Sequence, residues 1–216
     1  MPIINLIYNA PQGWKPWANT IAYYKFDWNL NDSSGNNRNL SMSTWTFTYW
    51  TESWGGKYVY MDRNSWSNYW EDSINYNNTT LAFWRKGTSS SPTSWATAFI
   101  EIWSASDQSY IRCQQNIQFA YRPNLTYSAG TSWHHYVLVS QTSTCDLYVD
   151  WVKVNSWTAA RTWTKTTRFR LNQVADTNSS TYSNDWYLWE LIRESKEWTA
   201  DEILAYYNNI KSNYWL

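Results

Sequence analysis

Few side chains in this chain have the types and spacing that chemistry needs. His134 and His135, its two histidines, are adjacent in Trp133-His134-His135-Tyr136-Val137-Leu138-Val139. That run reads as a strand, which sends successive side chains to opposite faces, so the pair cannot close on one metal ion. A structural histidine bonded to backbone is the expectation. Asp27, Asn29, Asn31 and Asp32 gather oxygen donors in one polar loop. They could ligate a structural calcium ion, or Asp27, Asn31, Asp32 and Asn36 could shape the loop through side-chain bonds to backbone, and the second reading is favoured. Cys113 and Cys145 lie on separate predicted strands without metal-ligand spacing, which leaves two thiols or one bridge. No serine or cysteine nucleophile has a positioned base, and no glycine-rich phosphate loop exists. No residue is therefore assigned as catalytic, cofactor-binding or metal-ligating. The 18 tyrosines are ambiguous. Tyr23, Tyr24, Tyr58, Tyr60, Tyr69 and Tyr76 stand near predicted loops and strand ends, where phenol rings suit stacking on sugars, but filling strand faces is the commoner use.

Composition bounds the partners. With 17 basic residues against 17 acidic ones and a charged fraction of only 16%, neither nucleic acid nor an anionic membrane is indicated. No apolar run approaches the length of a membrane span, and Met1-Pro2-Ile3-Ile4-Asn5-Leu6 lacks signal-peptide regions. The expectation is a soluble chain, or a piece of a longer one, that recognises neutral surfaces. Its 216 residues suffice for one all-β domain with a sizeable core.

The elements that must position these residues are short strands. Residues 1–19, with Pro2, Pro11 and Pro16, read as an irregular lead-in, and 20–216 as one domain. Strands are predicted at Ile21 to Asp27, Leu40 to Tyr49, Lys57 to Met61, Thr79 to Lys86, Ala96 to Ile102, Tyr110 to Gln114, Asn116 to Tyr121, Ser132 to Val139, Thr166 to Leu171 and Tyr187 to Arg193. Trp66 to Asn78, the stretch through Gly130, and Asn172 to Asn184 read as loops. Thr199-Ala200-Asp201-Glu202 is a capping box that opens a helix, with Ile203, Leu204, Tyr207 and Ile210 on one face. The pattern predicts an all-β antiparallel sandwich, a jelly roll, with a short C-terminal helix.

One hairpin sharpens this. Leu147, Val149, Val152 and Val154 align on one face only if Asp150-Trp151 is a two-residue turn, with Val149 opposite Val152, Tyr148 opposite Lys153 and Leu147 opposite Val154. Such turns want φ > 0, hence glycine, yet tryptophan stands there. The chain has 19 Trp and 6 Gly. Ordinary usage would give about 15 glycines. Trp28, Trp54, Trp66, Trp151, Trp157 and Trp186 all sit among small polar turn formers.

The segment Ile21-Ala22-Tyr23-Tyr24-Lys25-Phe26-Asp27-Trp28-Asn29-Leu30-Asn31-Asp32-Ser33-Ser34-Gly35-Asn36 resembles the opening of laminin G-like domains of the concanavalin A-like lectin/glucanase superfamily. Leu81 to Lys86, the Trp133-His134-His135 strand, Leu147 to Val152, and Leu191 through Tyr207 resemble further blocks of that family, in order, over residues 21–211. The resemblance implies a concanavalin A-like jelly roll and a binding role, without naming a ligand. Trp28 and Trp151 replace family glycines, while Trp84, Trp133 and Trp198 fit family tryptophans. The expectation is a source that reads UGA as glycine; the alternative is a native aromatic binding surface. Glucanases of the superfamily carry Glu-x-Asp-x-x-Glu on one strand, whose alternate carboxylates enter the cleft. Glu101 to Asp107 has the wrong spacing, and Glu190 with Glu194 lacks the pattern. The implied function is therefore a non-catalytic binding or adhesion module of a bacterial or phage surface protein, extracellular, on the cell surface or on a virion, with carbohydrate as leading ligand. The alternative is a structural or protein-interaction domain with no sugar site.

Overall fold

The computed structural model describes residues 18–42, 47–53, 55–61, 67–74, 78–87, 98–104, 107–113, 116–120, 125–128, 131–158, 166–171 and 186–214, the second sheet by backbone and pairing. Its strands are β1 (Thr20–Tyr24), β2 (Ser41–Met42), β3 (Thr48–Thr51), β4 (Lys57–Met61), β5 (Ser67–Ile74), β6 (Thr79–Gly87), β7 (Ala98–Ser104), β8 (Asp107–Cys113), β9 (Asn116–Ala120), β10 (Leu125–Ser128), β11 (His134–Ser140), β12 (Thr144–Val149), β13 (Val152–Thr158), β14 (Thr166–Leu171) and β15 (Trp186–Glu194), closed by α1 (Ala200–Tyr214). The first sheet runs β13-β12-β11-β6-β15-β4-β3 with β1 also on β15, and the second runs β10-β9-β8-β7-β14-β5-β2. Every pairing among the described residues is antiparallel. The fold is the expected β-sandwich with a C-terminal helix.

Alternation divides the first sheet into two faces. Leu81, Phe83 and Arg85 of β6, Tyr136 of β11, Leu147 and Val149 of β12, and Leu188 and Leu191 of β15 share one buried face, where Phe83 stacks on Tyr136 at 5.5 Å. The opposite face carries Ala82, Trp84, His135, Val137, Trp189 and Ile192, and α1 packs there through Ile203, Tyr206, Tyr207 and Ile210. Trp84 is the hub, 5.1 Å from His135, 5.5 Å from Trp189 and 5.5 Å from Tyr207. The helix begins where the capping box is expected: Thr199 N donates to Glu202 Oε2 at 2.8 Å, and Glu202 N donates to Thr199 Oγ1 at 3.2 Å. Its apolar stripe differs in one residue, for Leu204 is exposed and Tyr206 takes the buried place.

Several boundaries differ from the sequence reading. Leu40 to Tyr49 is not one strand, because β2 joins the second sheet and β3 the first. Ser67–Ile74 and Leu125–Ser128 are strands rather than loops. Ladder pairing with β14 and β9 overrides their polar composition, a tertiary effect that local propensity cannot register. The Asp150-Trp151 turn is where the register demands it, with φ 48 and 67 at its two residues, the type I′ signature. Val149 faces Val152 and Tyr148 faces Lys153, but Leu147 faces Asn155. A bulge has slipped the register there, so Val154 loses its place opposite Leu147 and is exposed. Val152 keeps its place opposite Val149 but is exposed as well, at the start of the edge strand β13.

Candidate functional site

The predicted chemistry-bearing residues go to structural work. Asp32 Oδ1 accepts from the backbone N–H of Tyr23 and Ser34, both at 2.9 Å, and Oδ2 accepts from Ser34 Oγ at 2.8 Å and Arg38 N at 3.0 Å. Asn29 accepts from Asn31 N and donates to Asp27 O, and Asn36 donates to Thr20 O and Ile21 O. Asp32 and Asn36 thus hold the loop by side-chain bonds to backbone, partly that of β1, as the favoured reading has it, whereas Asn29 does this work in place of Asp27 and Asn31, which take part through backbone groups. His134 Nδ1 meets Asp150 Oδ2 at 2.7 Å, a carboxylate partner. His135 departs from the expected backbone bond. Buried among Trp84, Tyr206 and Tyr207, it has no hydrogen-bond partner at either ring nitrogen among the described residues, and burial pushes its pKa down to about 3. The aromatic stack excludes the polar neighbours a ring N–H would otherwise find.

Glu190 is buried beneath α1, accepting from Tyr23 Oη at 2.9 Å and Tyr206 Oη at 2.6 Å. Burial raises its pKa against those bonds. Glu194 is buried with Thr20 Oγ1 at 2.5 Å, and burial pushes it up to about 7. Both tie β15 to β1, and Glu190 ties it to α1 as well. Glu101 and Asp107 lie on paired strands β7 and β8, with their side chains outside the described residues. Cys145 is buried on β12, whereas Cys113 lies on β8 of the other sheet with its side chain outside the described residues, as is the question of their pairing. Of the tyrosines, Tyr23, Tyr24 and Tyr58 are core, not sugar-stacking surface, because their strand positions face packed layers. Tyr60 is half-buried, and the side chains of Tyr69 and Tyr76 lie outside the described residues.

What the fold assembles instead is an aromatic row on the helix-bearing face of the first sheet, beyond the part that α1 covers. Tyr60 pairs with Tyr187, Tyr187 with Lys86, and Trp133, one residue before β11, continues the row past the His134–Arg85 pair. Trp50, 51% exposed, pairs with Tyr58 in the adjoining row. Ring centroids stand 5.2 Å apart for Tyr60 and Tyr187, 5.3 Å for Tyr58 and Tyr187, and 5.4 Å for Tyr58 and Trp133. The last two contacts are edge-to-face, and Tyr58 is buried against both rings while Trp133 and Tyr187 are half-buried. Lys86 Nζ lies 5.3 Å from the Tyr187 centroid and 5.7 Å from that of Trp133.

Glu52 completes the patch. The β3–β4 turn fixes it through Glu52 N donating to Gly56 O and Gly55 N donating to Glu52 O, both at 2.9 Å, with Gly55 at φ 91. Its Oε1 accepts from Lys86 Nζ at 2.9 Å and Trp133 Nε1 at 3.1 Å. Burial alone would raise the Glu52 carboxyl, but these two bonds outweigh it and hold it below its ordinary value. Burial and the Glu52 charge raise the Tyr58 phenol, which stays neutral. The result is half-buried rings beside one fixed acceptor and one fixed donor. Sequence reasoning missed Glu52, Lys86, Trp133 and Tyr187 as a group. Period-two alternation carries each residue to this face, but strand order alone makes neighbours of positions 52, 86, 133 and 187.

The two tryptophans expected at glycine positions adopt the backbone that glycine favours, Trp28 at φ 66 and Trp151 at φ 67. Trp54 and Trp66, and the side chains of Trp157 and Trp186, lie outside the described residues.

No known family profile and no curated protein matches this sequence. Solved structures do match in fold. The binding domain of Paraclostridial Mosquitocidal Protein 1 superposes with TM-score 0.69 at 15% identity, over 89% of this chain and 52% of that one. The binding domain of botulinum neurotoxin DC, solved in complex with rat synaptotagmin II, gives 0.71 at 9% identity, over 89% and 52%. Domain 4 of AbnA, an extracellular arabinanase from Geobacillus stearothermophilus solved with arabinotriose, gives 0.62 at 15%, over 87% of this chain and 97% of that one. The chain thus spans about half the length of the toxin binding domains it matches.

Proposed function

We propose that this chain is a non-catalytic, carbohydrate-binding module of the laminin G-like kind, one domain over residues 20–216 of a larger extracellular, cell-surface or virion protein of a bacterium or phage. The observation that carries the reading is the row of Trp133, Tyr187 and Tyr60 rings beside the Glu52–Lys86 pair. Sugar rings present an apolar C–H face to an aromatic ring and hydroxyls to its polar edge, and this patch offers both partners. AbnA domain 4, which shares the fold over nearly its whole length, was solved with a trisaccharide. Among the described residues no group of three or more His, Cys, Asp or Glu side chains gathers to hold a metal ion, and the buried carboxylates Glu190 and Glu194 are engaged with neighbours. A glycan array is the direct test. Trp133→Ala and Tyr187→Ala should each abolish specific binding while leaving the circular dichroism of the sheet intact.

The competing reading, a structural or protein-interaction domain with no sugar site, draws support from exposed Trp28 and Trp50 and from the synaptotagmin complex of the neurotoxin domain that is similar in fold. Absence of binding to every glycan would favour it. The left-handed backbone of Trp28 and Trp151 supports the reading of both as glycine positions in a gene that uses UGA for glycine. UGG codons at Trp28, Trp151 and Trp186 would overturn that.

A further inference from the structure

The geometry points to a neutral ligand: we infer that the Glu52–Lys86 pair selects an uncharged sugar with adjacent hydroxyls and rejects acidic sugars, an inference that rests on the carbohydrate reading of this patch. The pair is fixed rather than adaptable. The β3–β4 turn anchors the Glu52 backbone, and Trp133 Nε1 and Lys86 Nζ both bond its Oε1. Glu52 Oε2 has no protein donor among the described residues, and the Glu52 side chain keeps 22% of its surface open. That oxygen is an acceptor waiting beside the Trp133 ring.

Lys86 is equally constrained. Its ammonium gives one bond to Glu52 and lies against the Tyr187 and Trp133 rings, with 29% of the side chain open. An ammonium has three donors, so it can still donate to a ligand oxygen. The patch therefore presents one acceptor and one donor, joined by a 2.9 Å bond, at the rim of an aromatic face. Two neighbouring hydroxyls of a ring stacked on Trp133 match that arrangement, one donating to Oε2 and the other accepting from Nζ.

An acidic sugar does not match it. The positive charge that would attract a ligand carboxylate is already matched by Glu52, and a second carboxylate reaching Lys86 would come close to the first. Glu52 is ionised at neutral pH and stays so in mild acid, since its bonds hold the carboxyl low. The lysine could only serve an anion by leaving Glu52 and the Trp133 indole behind in a half-buried site.

The test uses the whole chain on an array of neutral glycans and their sialylated or uronate counterparts, with Glu52→Gln and Lys86→Met variants and a salt series. Neutral glycans should bind at least tenfold tighter than acidic ones, with affinity nearly constant from low to high salt. Glu52→Gln should lose on the order of tenfold for neutral glycans and narrow the gap to acidic ones, because Lys86 is then unmatched. Preference for acidic glycans, abolished by Trp133→Ala, would overturn the inference and leave the patch itself standing. Neutral binding that Glu52→Gln and Lys86→Met leave unchanged would also overturn it. No binding to any glycan, or binding that Trp133→Ala does not touch, would remove the carbohydrate reading together with the inference.

Discussion

Two residues hold a conformation that their side chains oppose. At φ 66 and 67, the Cβ of Trp28 and Trp151 crowds the backbone, at a cost of about 1–2 kcal/mol for each residue that is not glycine. Their surroundings differ, and so should the result of restoring glycine. Trp28 is 55% exposed, and the Tyr49 ring is 5.9 Å away in a tilted arrangement. Trp28→Gly should raise the urea midpoint by about 1 kcal/mol of stability, and a fall would remove the strain argument. Trp151 rests on Tyr207 at 4.5 Å with Lys211 Nζ 5.9 Å from its ring. That contact is worth about 0.5–1.5 kcal/mol, so relief and loss should nearly cancel in Trp151→Gly. The turn itself was legible in the sequence, because the alternation of Tyr148, Val149, Val152 and Lys153 fits no other tip. The Tyr207 contact was not, since it joins positions from distant parts of the chain.

The helix is the element on which the sheet's outer face depends. Its start is local in origin, written in Thr199 and Glu202, and Lys196 Nζ further bonds Glu202 Oε1. Thr199→Ala should cost about 1 kcal/mol in equilibrium unfolding. Its seat is tertiary. Tyr206 donates to Glu190, a buried carboxylate that Tyr23 also bonds, so one side chain ties β1, β15 and α1 together. Tyr206→Phe leaves Glu190 with one donor fewer and should cost about 1–3 kcal/mol, more than the cap, with near-ultraviolet circular dichroism reporting loosening around Trp84. A Tyr206→Phe protein as stable as the parent would show that Glu190 is neutral and content with Tyr23 alone. The capping box could be read from four consecutive residues. The Glu190 bonds could not, because nothing in Trp189-Glu190-Leu191 distinguishes a buried carboxylate from a solvent-facing one.

For the molecule as a whole, buried groups of opposite tendency set the response to pH. Glu194, pushed up to about 7, binds its proton more tightly folded than unfolded, where 4.5 is ordinary. Its contribution is full in acid and is lost as pH rises from about 4.5 through about 7, and Glu190, also raised, acts in the same sense. His135, pushed down from 6.5 to about 3, works the other way: its contribution is full above 6.5 and is lost as pH falls through about 3. Stability should therefore peak in mild acid, between about 4.5 and 6.5, and decline on both sides. Urea midpoints across pH should show the alkaline limb flattened by Glu194→Gln and the acid limb flattened by His135→Phe. A parent that gains stability steadily from pH 5 to 8 would contradict the assignment. The sequence by itself determined the sandwich, its closing helix, the hairpin tip and the loop bonds of Asp32, because alternation, capping and turn chemistry are local and survive without knowledge of neighbours. Only the tertiary structure decided that β5 and β10 are strands, that Glu190 and His135 are buried, and that Glu52, Lys86, Trp133 and Tyr187 form one surface. Those facts depend on which strands lie side by side, and strand order is fixed by long-range packing that no short stretch of residues encodes.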